Sequence, residues 1–180
     1  MPFSFVNTPL PGVVIIEPRV FNDERGFFLE SYKKSDFIEN GISTEFLQDN
    51  HSLSSKNILR GLHFQNPPFE QAKLVRAVKG AVWDVAVDIR KDSPYFKKWF
   101  GLELSEENKK MLYIPEGFAH GFLALTDEVH LLYKCSNEYS AKHDAGIIWN
   151  DPDIGIKWPA DNPVLSEKDR ELPLLRDIIL

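Results

Sequence analysis

The segment Arg60-Gly61-Leu62-His63-Phe64-Gln65 sets a guanidinium and an imidazole among apolar residues, and Lys73, His120 and Tyr133 follow in similar surroundings. A neutral imidazole near pKa ~6.5 accepts protons at physiological pH, most readily when a carboxylate holds its far nitrogen. A lysine inside a pocket can neutralise the oxyanion that forms as a proton leaves carbon. A phenol with a pKa near ~10 suits proton donation. Burying a lone polar group without a partner costs on the order of 2–7 kcal/mol, so a β wall that carries these groups inward uses them.

Each of these residues also has a plainer reading. A strand histidine is ordinarily a satisfied packing residue, and His120, which shares a face with Phe122, fits that description. Lys73, opposite Leu74 and in line with Val75 and Ala77, reads equally as a solvated cation on an outer face. Tyr133 shares a face with Leu131 and Cys135, so its ring can be core; Tyr139 offers a flat ring for stacking. Strand geometry adds a constraint. Strict alternation puts Arg60 and His63 on opposite faces, so both line one pocket only if Gly61 marks a bulge or bend.

Other chemistries lack their signatures. His51, His63, His120, His130 and His143 are isolated and no His-x-His occurs, which speaks against a metal. Cys135 lies in an apolar strand, and no serine sits in a Gly-x-Ser-x-Gly elbow. Rossmann and P-loop glycine patterns are missing, so nothing supports a bound nicotinamide or ATP.

The elements that must position these side chains read as strands. Val13 to Ile16 is a β-branched run closed by Pro18, and Gly26 to Tyr32 follows the charged turn Asn22-Asp23-Glu24-Arg25. Residues 72–78 alternate, with Lys79-Gly80 as a hairpin turn. Trp83, Val85, Val87 and Ile89 form one apolar face, with Asp84 and Asp88 on the other. Two further hairpins are expected: Trp99–Leu104 with Met111–Ile114, and Ala119–Leu125 with Val129–Cys135. Pro115-Glu116-Gly117 and Thr126-Asp127-Glu128 are turns by their chemistry. Ser35 is expected to cap a helical turn through Asp36, Phe37 and Ile38, closed by Gly41. A second short helix is expected near Ser166 to Arg170. Many short strands joined by turns argue for an antiparallel sandwich or barrel.

Composition sets the outer bounds. The 180 residues fit one domain, 1–180, with no repeat or linker, and 43% hydrophobic against 27% charged is an ordinary globular mixture. A net charge of −6 argues against a nucleic-acid surface yet permits a local basic pocket for a small anion. One cysteine forms no intrachain disulfide, no signal-peptide pattern opens the chain, and no apolar run nears the ~20 residues of a membrane span. The expectation is a cytoplasmic protein with no membrane or nucleic-acid partner.

Longer motifs then carry a resemblance. Asp23-Glu24-Arg25-Gly26-Phe27-Phe28, Gln48-Asp49-Asn50-His51-Ser52, Leu59-Arg60-Gly61-Leu62-His63, Lys73-Leu74-Val75-Arg76, Ile114-Pro115-Glu116-Gly117-Phe118-Ala119-His120-Gly121-Phe122, Tyr133-Lys134 and Ser166-Glu167-Lys168-Asp169 resemble the dTDP-4-dehydrorhamnose 3,5-epimerases, in order, from about Val13 to Asp169. The resemblance implies an all-β, cupin-like jelly-roll barrel with a few short peripheral helices, a homodimer, and no metal or organic cofactor. It implies a sugar nucleotide as the small-molecule partner, dTDP-4-dehydro-6-deoxy-D-glucose, inverted at C3 and C5 on the way to dTDP-L-rhamnose. Carried over, His63 is the base oriented by Asp169, Tyr133 the acid on the opposite sugar face, and Lys73 the group that steadies the enolate. Arg60, His120 and Phe122 match substrate-pocket positions. Arg25 and Glu30 match nucleotide contacts for which the partner subunit is one source. Gln48 and Asn50 match nucleotide-side contacts, Tyr139 a base-stacking ring, and Asp144 and Lys168 further substrate contacts. A single-centre epimerase on a related ketosugar and a non-catalytic sugar-nucleotide-binding cupin are the alternatives.

Overall fold

A computed structural model describes residues 2–178. In chain order the strands are β1 (Phe3–Asn7), β2 (Val14–Pro18), β3 (Phe21–Asp23), β4 (Gly26–Phe28), β5 (Gln48–Ser54), β6 (Leu59–Gln65), β7 (Lys73–Lys79), β8 (Ala81–Asp88), β9 (Trp99–Ser105), β10 (Met111–Ile114), β11 (Phe118–Ala124), β12 (Val129–Cys135) and β13 (Asp144–Gly146). Two short helices, α1 (Lys34–Glu39) and α2 (Glu167–Arg170), sit outside them. One sheet has the order β1-β2-β10-β7-β12-β5, the facing sheet β13-β6-β11-β8-β9, and β3-β4 form a separate ribbon. The result is an all-β, cupin-like jelly roll. Among the described residues, no helix is long and apolar enough to cross a membrane.

Alternation built this sandwich as expected. Val75 and Ala77 of β7 and Leu131 of β12 point into the core between the sheets with Val82 and Ala86 of β8 and Phe122 of β11. The opposite face of β8, Val85 and Val87, continued by Ile89 just past its end, is covered by Ile147, Ile154 and Leu175 from the chain beyond β13. Strands β8 and β11 are therefore buried on both faces, and all seven residues of β11 are buried. The outer face of the first sheet takes its cover from α1, where Phe37 packs with Leu74, Met111 and Tyr113.

The expected hairpins are corrected. Strand β7 pairs with β10 and β12, whereas β8 pairs with β9 and β11, so Lys79-Gly80 is a corner between sheets and not a hairpin turn. Likewise β9 does not pair with β10, nor β11 with β12. Alternation tells which face of a strand is buried but not which strand lies beside it, and in a jelly roll successive strands cross from one sheet to the other. The helix cap is corrected too. Lys33 is the N-cap of α1 and no side chain caps it, while Ser35 lies inside the helix and donates to Asp36. Burying Phe37 and pairing Lys33 with Asp36 at 2.9 Å set the helix start earlier than the serine signal. The expectations for Gly41, with φ +84°, and for Ser166, whose hydroxyl accepts from the Asp169 N–H, hold.

The corner at Gly80 has no room for a side chain: φ is +69°, and a Cβ would stand 2.5 Å from the Glu128 carbonyl. Gly80→Ala is expected to lower unfolding free energy by at least ~2 kcal/mol, from left-handed strain plus the clash. Gly155→Ala, with φ +65° but only Pro152 O at 3.9 Å, carries the strain alone, about 1 kcal/mol. Urea denaturation of the pair checks this, and equal losses would contradict the steric argument.

Candidate active site

A cavity of about 540 Å³ opens between the sheets, walled by Arg60, His63, Lys73, His120, Phe122, Tyr133 and Asp169. It continues into a groove of about 410 Å³ through His63, Lys73, Tyr133 and Lys168, and there Gln48, Asn50, Tyr139 and Asp144 join the lining. Most of the polar side chains singled out in the sequence therefore converge, with His63 on one sheet and Tyr133 on the other.

The constraint on Arg60 and His63 is resolved by a bulge. His120 of β11 pairs with His63 and Phe122 with Arg60, so Gly61 and Leu62 together oppose the single residue Gly121. Gly61 has φ +129°, and a Cβ on it would lie 2.6 Å from the Gly121 Cα and 2.9 Å from the His120 carbonyl. Two glycines pressed together absorb the extra residue, and the inserted position turns Arg60 and His63 toward the same cavity. Arg60 is fixed there by bonds from its guanidinium to Ser54 Oγ and the Leu53 carbonyl, each at 3.1 Å.

His63 Nε2 lies 2.7 Å from Asp169 Oδ1, and Asp169 Oδ2 accepts the Gly61 N–H at 3.3 Å. Donation of Nε2–H to the carboxylate selects the tautomer that leaves Nδ1 free to take a proton. Burial pushes the Asp169 carboxyl up, but the bond and charge of His63, the Gly61 amide and Lys168 outweigh it, and the group ends below the ordinary carboxylate range. The partner is thus anionic at neutral pH, as an orienting group must be.

Facing this pair, burial raises the Tyr133 phenol above its usual value, against a smaller pull from Arg60. It holds its proton at neutral pH and can donate it. Lys73 is 7% exposed, donates to the His63 carbonyl at 3.5 Å, and is pushed down by burial. A positive charge in so dry a place would act on nearby charge far more strongly than one in water.

Asp84 was missed as a site residue. It is fully buried, and both its oxygens lie 2.9–3.0 Å from His120 Nε2. Burial lowers the His120 pKa despite Asp84, and Lys73 and His63 lower it further, so the imidazole is neutral. The signal was available: Asp84 alternates with Val82 and Ala86, small apolar neighbours that a solvent face would not carry. Gln65 and Gln71, also unassigned from sequence, line the groove and brace the loop carrying Tyr139, through Ser140 and Asn137.

Along the groove, the Tyr139 ring is exposed, with its amide on Gln48 Oε1 at 2.8 Å and its hydroxyl on Asp144 at 3.2 Å. Lys168 forms an ion pair with the same Asp144 carboxylate, which raises its pKa. Gln48 in turn donates to Asn50. Arg25 and Glu30 stand apart. Arg25 rides the β3-β4 ribbon with its side chain 86% exposed and paired to Asp23, and neither it nor Glu30 lines the cavity or the groove. Among the described residues, no three of His, Cys, Asp and Glu gather as a metal-ligand set.

A cupin-type jelly roll that encloses an oriented imidazole, a facing phenol and a buried ammonium defines a class: a barrel isomerase working by proton transfer. Comparison with known proteins narrows the class. Residues 7–177 match the family model described as dTDP-4-dehydrorhamnose 3,5-epimerase. The Shigella flexneri enzyme of that name is 57% identical over 167 residues, 92% of each chain. The solved structure of the Legionella pneumophila dTDP-6-deoxy-D-glucose-3,5-epimerase, in complex with dTDP-4-keto-L-rhamnose, is 44% identical with a TM-score of 0.95, covering 98% of this chain and 95% of that one. A 3'-monoepimerase from Streptomyces bikiniensis, in complex with dTDP-quinovose, is 34% identical with a TM-score of 0.88, covering 95% and 87%. The chain belongs to the dTDP-4-dehydrorhamnose 3,5-epimerase family.

Asp169→Asn keeps the shape but presents an N–H to His63 Nε2, which then must accept, moving the ring proton to Nδ1. A loss of about 10²- to 10⁴-fold in kcat is expected, with the melting temperature nearly unchanged. Steady-state kinetics with the family's ketosugar substrate measure it, and parent-like turnover would remove Asp169 as the orienting group.

Proposed function

We propose that the chain inverts C3 and C5 of dTDP-4-dehydro-6-deoxy-D-glucose, giving dTDP-4-dehydro-L-rhamnose, with His63 as base and Tyr133 as acid. The observation that carries this reading is the placement of an Asp169-oriented imidazole and a protonated phenol on opposite walls of one cavity. C3 and C5 flank the C4 ketone, so loss of either proton delivers charge to the same oxygen. One base, one acid and one oxyanion partner therefore serve both centres once the sugar re-seats between steps. Inversion requires the proton to return to the face opposite the one it left, which is what walls of unlike chemistry provide. General acid and base each contribute about 10²–10⁴-fold.

Lys73 stabilises the enolate oxygen. Neutral His120, donating one ring nitrogen to Asp84, keeps the other as an acceptor, which suits a sugar hydroxyl better than a phosphate oxygen. Tyr139 stacks on the base, with Gln48, Asn50 and the Asp144–Lys168 pair as nucleotide-side contacts and Arg60 as a contact to sugar or phosphate oxygens. The whole chain acts as one domain. A cytoplasmic setting is in keeping with a single cysteine, free and buried.

A homodimer completes the site. Its support is an outer sheet face with a hollow of about 330 Å³ lined by Leu74, Met111, Leu132 and a half-buried Arg76, and the exposed Phe27 and Phe28 on the ribbon that carries Arg25. In this arrangement Arg25 and Glu30 reach the groove of the other subunit.

Incubation of the parent with substrate in D₂O is expected to put deuterium at both C3 and C5, read by NMR. His63→Ala abolishes incorporation at both, whereas Tyr133→Phe retains exchange and slows inversion. Deuterium at C3 alone would make the chain a monoepimerase, like its Streptomyces bikiniensis relative, and full exchange in His63→Ala would remove the base.

Mixing tests the shared site. Arg25→Ala and His63→Ala are each inactive alone. Refolded together as heterodimers, they regain up to about a quarter of the parent sites, because one subunit supplies the base and its partner the guanidinium. No recovery would place Arg25 in its own subunit's site, and an active Arg25→Ala enzyme would place it outside catalysis.

A further inference from the structure

The cavity has a half that proton transfer does not use. Beside the charged wall, Ile58, Leu59, Phe122, Val164 and Leu165 line the same space. Val164 and Leu165 belong to a strap leading into α2. It is stitched to the barrel by a parallel bridge between Ile58 and Val164, with the Leu59 N–H on the Val164 carbonyl at 2.9 Å and the Val164 N–H on the Asn57 carbonyl at 2.8 Å. The strap then delivers Asp169 to His63. One fixed segment thus orients the base and forms an apolar wall next to it.

This deepens the proposed function and rests on it. In a 4-ketohexose nucleotide the diphosphate leaves from C1, so C4 and its flanking carbons C3 and C5 form the far end of the ring. With the nucleotide in the groove of Tyr139 and Asn50, that far end enters the cavity. The ketone oxygen and the C3 hydroxyl take the side of Lys73 and His120, and C6, borne on C5, takes the other. We propose that Val164 and Leu165, with Phe122, form the seat of the C6 methyl and so select 6-deoxy over 6-hydroxy 4-ketohexose nucleotides. Inversion at C5 swings C6 from one ring face to the other. A non-directional apolar wall holds a methyl in both positions, whereas a hydroxyl would need a partner in each; Val164, Leu165 and Phe122 offer none, and the hydroxyls of the same cavity belong to Ser52 and Ser166.

The test compares kcat/KM, by solvent deuterium incorporation, for dTDP-4-dehydro-6-deoxy-D-glucose and its 6-hydroxy counterpart, dTDP-4-dehydroglucose. The parent is expected to favour the 6-deoxy compound by about 10- to 100-fold, the range an apolar pocket achieves against one added hydroxyl. Leu165→Asn is expected to cut that ratio at least about fivefold by offering hydrogen bonds. Val164→Ser is expected to move it the same way, and because Val164 is 51% exposed its folding is not at stake. A parent active on both compounds with equal kcat/KM overturns this proposal alone, as does an unchanged ratio in both variants. A parent inert toward the 6-deoxy compound overturns it together with the proposed function.

Discussion

Two glycines in contact across neighbouring strands decide what this barrel can do. Gly61 and Gly121 approach more closely than any side chain would allow, and that approach is the condition for an extra residue in β6. Without the insertion, regular pleating sends Arg60 and His63 to opposite faces of the sheet, and one of the two leaves the cavity. The same glycine offers its amide to Asp169, so the irregularity that turns the imidazole inward also helps seat the carboxylate behind it. A local backbone feature therefore sets both the position of the imidazole and the carboxylate that holds it.

Charge inside this cavity is held in two ways: the imidazoles pair with carboxylates, while Arg60 and Lys73 donate to neutral oxygens. Two imidazoles each share a nitrogen with a buried carboxylate, yet the two pairs end in different places. Asp169 reaches His63 near the cavity wall, where the ring remains a third exposed. Asp84 reaches His120 in full burial, where the ring stays neutral. The first arrangement holds a ring that still meets the cavity; the second holds one in full burial. Lys73 sits between the two, its pKa depressed by burial.

The sequence showed some of this and hid the rest for identifiable reasons. Alternation told which residues of β7, β8 and β12 share a face, and the turn at Pro115-Glu116-Gly117 was legible from its chemistry. Strand partners were not legible, because nothing in a run of alternating residues records its neighbour, and a jelly roll places sequential strands in different sheets. Lys73 stayed ambiguous because period two cannot tell an outer face from an inner one. Asp84 was read as a polar-face residue although Val82 and Ala86 beside it marked that face as core. Ser35 carried a cap signal that the burial of Phe37 overrode. The pairing of His63 with Asp169 spans most of the barrel and came only from family likeness, since no local pattern links positions so far apart. Arg25 and Glu30 lie off the cavity in a single chain, which neither pattern nor spacing could have indicated.

The strap has a consequence for how activity arises in time. Its carboxylate comes 106 positions after the histidine it serves. Every strand of both sheets precedes it along the chain. As the polypeptide leaves the ribosome, the sheets can assemble with an imidazole that is still free to rotate and to carry its proton on either nitrogen. The carboxylate partner of His63 therefore arrives only when the segment after β13 docks, and a copy broken off before it is a barrel whose imidazole lacks Asp169.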